Sequence, residues 1–558
     1  MGGARALAWV LLAVAGRAQA QVVTDPSDPL YQDLEVWEAK GLVGRLPALQ
    51  PYPLQLVEHL LRSVAANASA GSADRRRAQW LIARIGDPLH LTVEMQARAT
   101  SASSGRYSLL AVDPDLQGMV TPWLGASARA RIMAVALDDG LALAAGQGNP
   151  EDFVSDSTDF DLGSENRQVR QVSYGSLGIG EGDGMVLFQV GLGRHRIGPF
   201  SENGIVVGPQ ASQAGLFSLL FQQELVTAHI ALFELAVAAE AGGRTVSGKH
   251  LFYHSVDAHP FPWLDVGAFE TVVSGGRLEL LYFIPIAAYF HSQGLTGFAD
   301  NSLVGITSRV TPLRGLDIKG QLYVDDISFN DMVRGDFDTK YKFAAQLGAS
   351  ASPAAILDSA HAGTHDAWRL ISVDYTAVMP YMYSHINSAG SGANFEDYTN
   401  AGANFGPALE PNSDRWQLRA LWRPMDDPSL SFVDVELRGA LIRHGNASAG
   451  IIPGRDGSIF DDGFLDGTPT FQPPFVDPTG QPATRFLTQA VIEQTVQLGA
   501  SVQWTLDAAH AADQGWDRGW GGLTASLGYT WQWQDNAGLV PGASLQQHFF
   551  DASLRYRY

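Results

Sequence analysis

Strict alternation of apolar and polar residues, in stretches of about ten running to the last residue, constrains this chain more than any other feature. Within 495–506, Val496, Leu498, Ala500, Val502, Trp504 and Leu506 alternate with Thr495, Gln497, Gly499, Ser501, Gln503 and Thr505. Within 523–534, Leu523, Ala525, Leu527, Tyr529, Trp531 and Trp533 oppose Thr524, Ser526, Gly528, Thr530, Gln532 and Gln534. The chain ends the same way, with Phe550, Ala552, Leu554, Tyr556 and Tyr558 against Asp551, Ser553, Arg555 and Arg557. A period of two places successive side chains on opposite faces of a strand. Strands of this length, apolar on one face, polar on the other and aromatic near their ends, suit lipid outside and water inside. A soluble sandwich also alternates, but it has no reason to end on an aromatic strand. The expected fold is an all-β transmembrane barrel of about eighteen antiparallel strands, closed by the strand that ends at Tyr558.

Parity supplies that count. With Tyr558 ending a descending strand, 445–485 falls outside the cell, and its Gly, Pro and Asp content suits a long surface loop. The connections 424–429, 311–315, 274–276, 240–245 and 181–184 then fall on the periplasmic side, as does the turn Asp138-Asp139-Gly140. The count requires 198–225 to be one long outer loop and makes the acidic segment 148–165 extracellular. Two connections, 351–367 and 507–522, are long for periplasmic turns.

Composition fits a protein that shows much of its surface to something other than water. Charged residues make up 17% of the 558, where a soluble protein carries about a quarter. Residues 1–20 resemble a cleaved export signal: Arg5, an apolar run from Ala6 to Ala15, and Ala18-Gln19-Ala20 as the cleavage site. Removing them takes Arg5 and Arg17, leaving 35 basic against 58 acidic residues. Nucleic acid is excluded as a partner by that balance, because phosphate binding needs a basic footprint. The absence of Cys excludes disulfides, thiolate metal sites and a Cys nucleophile. No later stretch is long and charge-free enough for a spanning helix; 216–239 is interrupted by Gln222, Gln223, Glu224, His229 and Glu234.

Between the signal and the barrel at 89–558, residues 21–88 change to a helical period. Leu30, Leu34 and Trp37 share one face and the helix stops at Gly41. Pro53 opens a second helix carrying Leu54, Val57, Leu60, Leu61 and Val64, and Ser72 caps a third that ends at Ile85. So short a bundle buries little core alone, so it is expected to dock on the periplasmic base of the barrel.

No catalytic or phosphate-binding motif stands out, and neither an enzyme nor a cofactor is expected. His195, His291 and His385 are hydrolase candidates by position only. Asp461, Asp462 and Asp466 offer carboxylates for calcium, but acidic surface loops are usually solvated. Phe460, Phe464, Phe471 and Phe475 suit sugar stacking or loop self-packing. The basic segment Arg194-His195-Arg196 should end an upward strand at the outer rim, where it can pair with acidic sugars or phosphates. The alternation gives a plainer alternative, with Arg194 and Arg196 against lipid head groups and His195 in the lumen. Asp325 and Asp374 should face the lumen, with Asp326 at the top of its strand. In a pore such carboxylates set cation preference; in a closed barrel groups such as Arg555 or Lys319 hold them.

The order of elements resembles the Wzi capsule-assembly family. Local strings are similar too: Gly193-Arg194-His195-Arg196-Ile197-Gly198-Pro199-Phe200, then Asn203-Gly204-Ile205-Val206-Val207-Gly208-Pro209, and the hairpin joining Asp300–Gly305 to Gly320–Ile327. The resemblance implies a lectin-like outer-membrane protein that holds capsule or exopolysaccharide at the cell surface, its barrel plugged by loops above and helices below. Expected partners are surface polysaccharide, outer-membrane lipid and lipopolysaccharide, and the barrel-assembly machinery acting on the strand that ends at Tyr558. A substrate-specific porin is the alternative.

Overall fold

The computed structural model describes residues 25–85, 89–101, 106–137, 143–146, 160–164, 167–238, 245–284, 288–297, 300–327, 333, 341–357, 367–385, 395–424, 433–445, 486–506 and 522–557. Three helices come first: α1 (Pro29–Ala39), α2 (Leu54–Ala66) and α3 (Ser72–Ile85). The wall begins with β1 (Leu89–Thr100), β2 (Arg106–Thr121), β3 (Leu124–Leu137), β4 (Arg167–Ile179), β5 (Val186–Gly193) and β6 (Ala214–Gln222). It continues through β7 (Val226–Ala238), β8 (Thr245–Phe261), β9 (Leu264–Gly275), β10 (Asn301–Leu313), β11 (Leu316–Ile327) and β12 (Tyr341–Ala351). The circuit ends with β13 (Trp368–Val378), β14 (Ser413–Trp422), β15 (Val433–Gly445), β16 (Ile492–Leu506), β17 (Gly522–Asp535) and β18 (Ser544–Arg557). A fourth helix, α4 (Tyr289–Thr296), lies between β9 and β10.

Each strand pairs antiparallel with the next, and β18 returns to β1 from Thr92↔Arg557 to Thr100↔Phe549. The result is a closed barrel of eighteen strands with no free edge. Closure follows from the alternation. In hydrocarbon every backbone group needs a partner inside the protein, and the outward side chains are those that lipid accepts. Leu498 is 58% exposed, Leu527 67% and Leu347 61%. Trp123, Phe261 and Trp263 mark the base turns, each about half exposed, as an aromatic girdle at an interface requires.

The eighteen strands are those expected in number, but two assignments change. Segment 198–225 is not one loop: Ala214–Gln222 is the wall strand β6, bonded to β5 and β7. Its Leu216, Ser218 and Leu220 turn inward at 3% exposure each, and Phe217 and Leu219 turn outward at 37%. In compensation, 276–300 contributes no wall strand among the described residues, holding a 3-10 turn (Leu280–Phe283) and α4 instead. Leu280 to Ile284 is apolar without alternation, and Pro285 has no N–H for a ladder. The two changes cancel in the count but invert the strands between them. β7 and β8 therefore join at the rim, and β9 ends there at Gly275, where 240–245 and 274–276 were expected at the periplasmic base. The turn 138–140 lies outside the described residues. The long connections 351–367 and 507–522 do join base ends of strands.

One glycine shows how wall and interior fit. Gly305 on β10 lies directly opposite Phe269 on β9, and a Cβ there would meet the Phe269 ring at 2.1 Å. The missing side chain lets the ring lie flat over the next strand and join the interior core.

Candidate functional site

The barrel interior is filled on one side. After β5 the chain leaves the wall at Gly193, and Arg196–Ile197 pairs antiparallel with Leu49–Gln50 from the α1–α2 connection. Ile197 then bridges Val207. From the rim, 379–385 and 395–412 turn inward and bury Tyr381, Tyr383, Tyr398 and Phe405 to 1% exposure or less. The Tyr383 hydroxyl donates to the Ile205 carbonyl at 2.7 Å, and Lys249 Nζ holds Asp397 at 2.5 Å. Ile205, Val206 and Val207 are fully buried against Phe233, Tyr253, Phe269 and Tyr323 of the wall. Tyr381 and Tyr383 adopt left-handed φ of 62° and 74°, a strained conformation that persists only where packing over-determines it.

The three helices close the base with a second core, in which Leu30, Leu34, Trp37, Val57, Leu61 and Leu81 meet Leu187 and Leu220 of the wall. Ion pairs fix them. Asp33 on α1 accepts from Arg423 at 2.5 Å and Arg77 at 2.9 Å, and Glu35 from Lys319 at 2.8 Å. Glu38 pairs with Arg309 of β10. Asp74 on α3 binds Lys40 and the Trp37 indole at 2.9 Å each, and also Arg369. Burial alone would raise the Asp33 carboxyl, but Arg423, Arg77 and Arg369 outweigh it and hold it below the usual range. Asp74 is lowered in the same way: Arg369 and Lys40 overcome its burial.

Arg194, His195 and Arg196 sit in this interior, not on the rim or against lipid. His195 is 3% exposed, and its ring packs on Phe233 with Nε2 3.1 Å from the Ala214 carbonyl. Burial pushes its pKa down to about 4, so the imidazole is neutral at neutral pH. Arg196 donates to Gln50 Oε1 at 2.6 Å and the Ser201 carbonyl at 2.8 Å, and Arg194 reaches the Ala211 carbonyl at 3.4 Å. The correction has a simple cause: alternation cannot continue past Gly193, because the chain there exchanges its wall partner for Leu49–Gln50. Asp325 is buried 3.7 Å from Lys342, and Asp326 stands opposite Lys342 at a bulge near the rim end of β11. Arg555 and Lys319, named as holders for such carboxylates, pair with Glu94 and Glu35 instead. His195, His291 and His385 belong to the interior core, α4 and the rim, so they form no common site. Among the described residues no cluster suits a metal. Asp461, Asp462, Asp466 and the four loop phenylalanines lie outside the described residues.

One feature of the interior was missed although its signal is in the sequence. Arg415 and Arg419 of β14 and Arg423 just past its end recur every fourth residue, so they share one inward face. Glu202 answers this column, with Arg419 at 3.5 Å and Arg438 of β15 at 2.9 Å. Burial would raise Glu202, but Arg438, Arg419, Arg415 and Arg196 bring it down to about 2. Arg415 is 6% exposed, and its Nε and Nη2 have no hydrogen-bond partner.

The opposite side of the lumen is lined differently. Inward positions of β16 to β18 carry Gly499, Ser501, Thr524, Ser526, Gly528, Thr530 and Ser553, all partly or well exposed. The inward side chains of Arg438, Asp551 and Arg555 are 47%, 45% and 50% exposed. Inward residues of β7 such as Ala231 and Phe233 are wholly buried by comparison. Towards the rim this water-lined side carries an amide cluster. Gln497 Nε2 donates to Gln532 Oε1 at 2.9 Å and to the Ala145 carbonyl at 2.8 Å, and Gln532 Nε2 donates to Gln547 at 2.8 Å. At the base, a cleft of about 960 Å³ separates the helices from the turns around Asp183, Gln223 and Pro260.

No family model matches the chain, and no curated protein does. Among solved structures, it is similar to Wzi of Escherichia coli, described as an outer-membrane protein involved in group 1 capsule assembly and a carbohydrate-binding β-barrel. The TM-score is 0.54 at 12% identity, over 96% of this chain and 99% of that one. The outer-membrane protein OprD of Pseudomonas aeruginosa aligns with a TM-score of 0.43 at 10% identity, over 84% of this chain and 93% of that one. At such identity the likeness to Wzi shows the fold, that of an outer-membrane barrel.

Proposed function

We propose that this chain is a non-catalytic outer-membrane protein that binds surface polysaccharide and helps attach it to the cell. The observation that carries this reading is the lumen packed with buried side chains along β5 to β14. A general diffusion pore needs an open cross-section, whereas here buried aromatics of 379–412, the 194–213 segment and the helical base form packed cores between the walls. A barrel stoppered in this way has its outer loops as the surface available to a polymer. The likeness to a carbohydrate-binding barrel suggests the polymer class. In this reading Arg194, His195, Arg196 and Asp325 hold the stopper, and sugar contacts fall to the rim loops. The partners are the polysaccharide, the surrounding lipid and lipopolysaccharide, and the barrel-assembly machinery engaging β18.

The test is binding of purified protein to the source organism's own surface polysaccharide, for the intact chain and for a variant lacking 446–485. The intact chain should bind, and the loop deletion should fold yet bind at least tenfold more weakly. Large, steady channels in a planar bilayer would sink the stoppered reading. A second reading, a channel selective for small polar solutes, is favoured by the exposed Ser501, Arg438, Asp551 and Arg555. It predicts small, substrate-blocked conductance with no polymer binding.

A further inference from the structure

The described parts of the segment between β9 and β10, 276–284 and 288–297, lie on the outside of the wall. On β8, Leu251 and Tyr253 join the interior core, so Phe252 and His254 face outward. On β9, Phe269 and Val273 face inward, so Glu270 and Val272 face outward. Described rings of the segment pack on these outward residues and on Phe217 of β6: Phe283 lies 5.4 Å from Phe252 and 6.0 Å from Phe217, and Tyr282 lies 5.1 Å from Phe252. Tyr289 of α4 stacks on His254 with ring centroids 4.0 Å apart, and its backbone N–H donates to Glu270 at 2.5 Å. Phe252, Val272, Tyr282 and Tyr289 are all fully buried by this docking.

What the segment covers explains why it is there. His254 lies opposite Glu270, 3.3 Å from it, and the flanking partners in the same row are Ile230 and Val304. An ionisable pair thus interrupts an apolar, lipid-facing row, where a bare charge is costly. Tyr289 covers it. The segment in turn presents Leu278, Leu280, Ile284 and Leu295 outward at 52%, 71%, 42% and 73% exposure. On the wall's own outward face Leu219, Val256 and Val304 are likewise exposed, at 37%, 49% and 49%. Ties to Asp300 anchor the segment: Arg277 at 2.6 Å, the Tyr282 hydroxyl at 2.7 Å, and Gln293 to its carbonyl at 2.7 Å.

We propose that 276–284 and 288–297 form a lipid-immersed flap, its exposed leucines continuing the barrel's apolar belt into the acyl chains of the outer leaflet while its inner face shields the His254–Glu270 pair. The proposal rests on the barrel standing in a membrane, not on polysaccharide binding.

Because the chain has no Cys, single-cysteine variants are clean probes. Leu280→Cys and Leu295→Cys are labelled with an environment-sensitive fluorophore in full-length protein reconstituted in phosphatidylcholine vesicles. Leu498→Cys on β16 marks the lipid-facing wall, and Pro541→Cys in the turn between β17 and β18 marks water. The flap labels should match Leu498→Cys, with quenching by nitroxide-bearing acyl chains at least threefold stronger than at Pro541→Cys, and weak quenching by iodide. Flap labels that follow Pro541→Cys overturn the proposal. So do disulfides forming between flap cysteines of neighbouring copies, which would make a second copy the occupant. If Leu498→Cys also reports water, the membrane placement itself fails.

Discussion

A single missing side chain, at Gly305, decides whether Phe269 can enter the interior core. Replacing Gly305 by Leu should force the ring aside and lower stability by about 1–3 kcal/mol, as overpacking does. A lower urea midpoint for unfolding from vesicles would register it, and an unchanged midpoint would show that Phe269 repacks freely. Asp74 illustrates the opposite case, a charge whose loss leaves others stranded. Asp74→Ala uncovers Arg369, itself 1% exposed, and breaking a buried pair in this way costs about 3–5 kcal/mol. Asp33, Glu35 and Asp74 all have pKa values held below their ordinary values of 3.8, 4.5 and 3.8. A carboxylate lowered in the folded state contributes stability that is complete above its unfolded pKa and lost as pH falls through the folded one. Protease resistance of the helices should therefore be constant from pH 8 to about 5 and decline below about 4. A decline centred near pH 6.5 would instead implicate histidine.

Among the elements, α1 to α3 have no independent claim to stability. Their faces are completed by Leu187 and Leu220 and by Arg309, Lys319, Arg369 and Arg423 of the barrel. Removal of residues 21–86 should leave an inserted barrel with raised permeability to small antibiotics. Unchanged permeability would mean that the helices are not a stopper. The amide cluster on the water-lined side makes a separate prediction. Gln532→Ala removes contacts to Gln497, Gln547 and Ala145. It should increase small-ion conductance severalfold if that side of the lumen conducts, and leave it at baseline if the side is closed elsewhere. Element identity was legible wherever period and partner agreed, as in β16, β17 and β18. It was not legible in 276–300, whose apolar residues pack outside the wall rather than in it, nor at β6, where a spanning strand follows an interior loop without a sequence break.

For the molecule as a whole, the sequence by itself determined the class of fold, the closing strand and an even strand number. These depend on which face each residue takes along its own strand, and a two-residue period states that locally. The inward column Arg415, Arg419 and Arg423 was legible on the same ground. Tertiary structure alone decided the rest. Whether Arg196 meets lipid or Gln50 depends on a partner 146 residues away in the chain. Whether Tyr383 fills the lumen depends on Ile205, 178 residues distant. That the lumen is stoppered along β5 to β14 and water-lined along β15 to β18 follows from how separate segments fill a fixed volume. No local pattern encodes it, because interior side chains are selected by neighbours that only the closed barrel brings together.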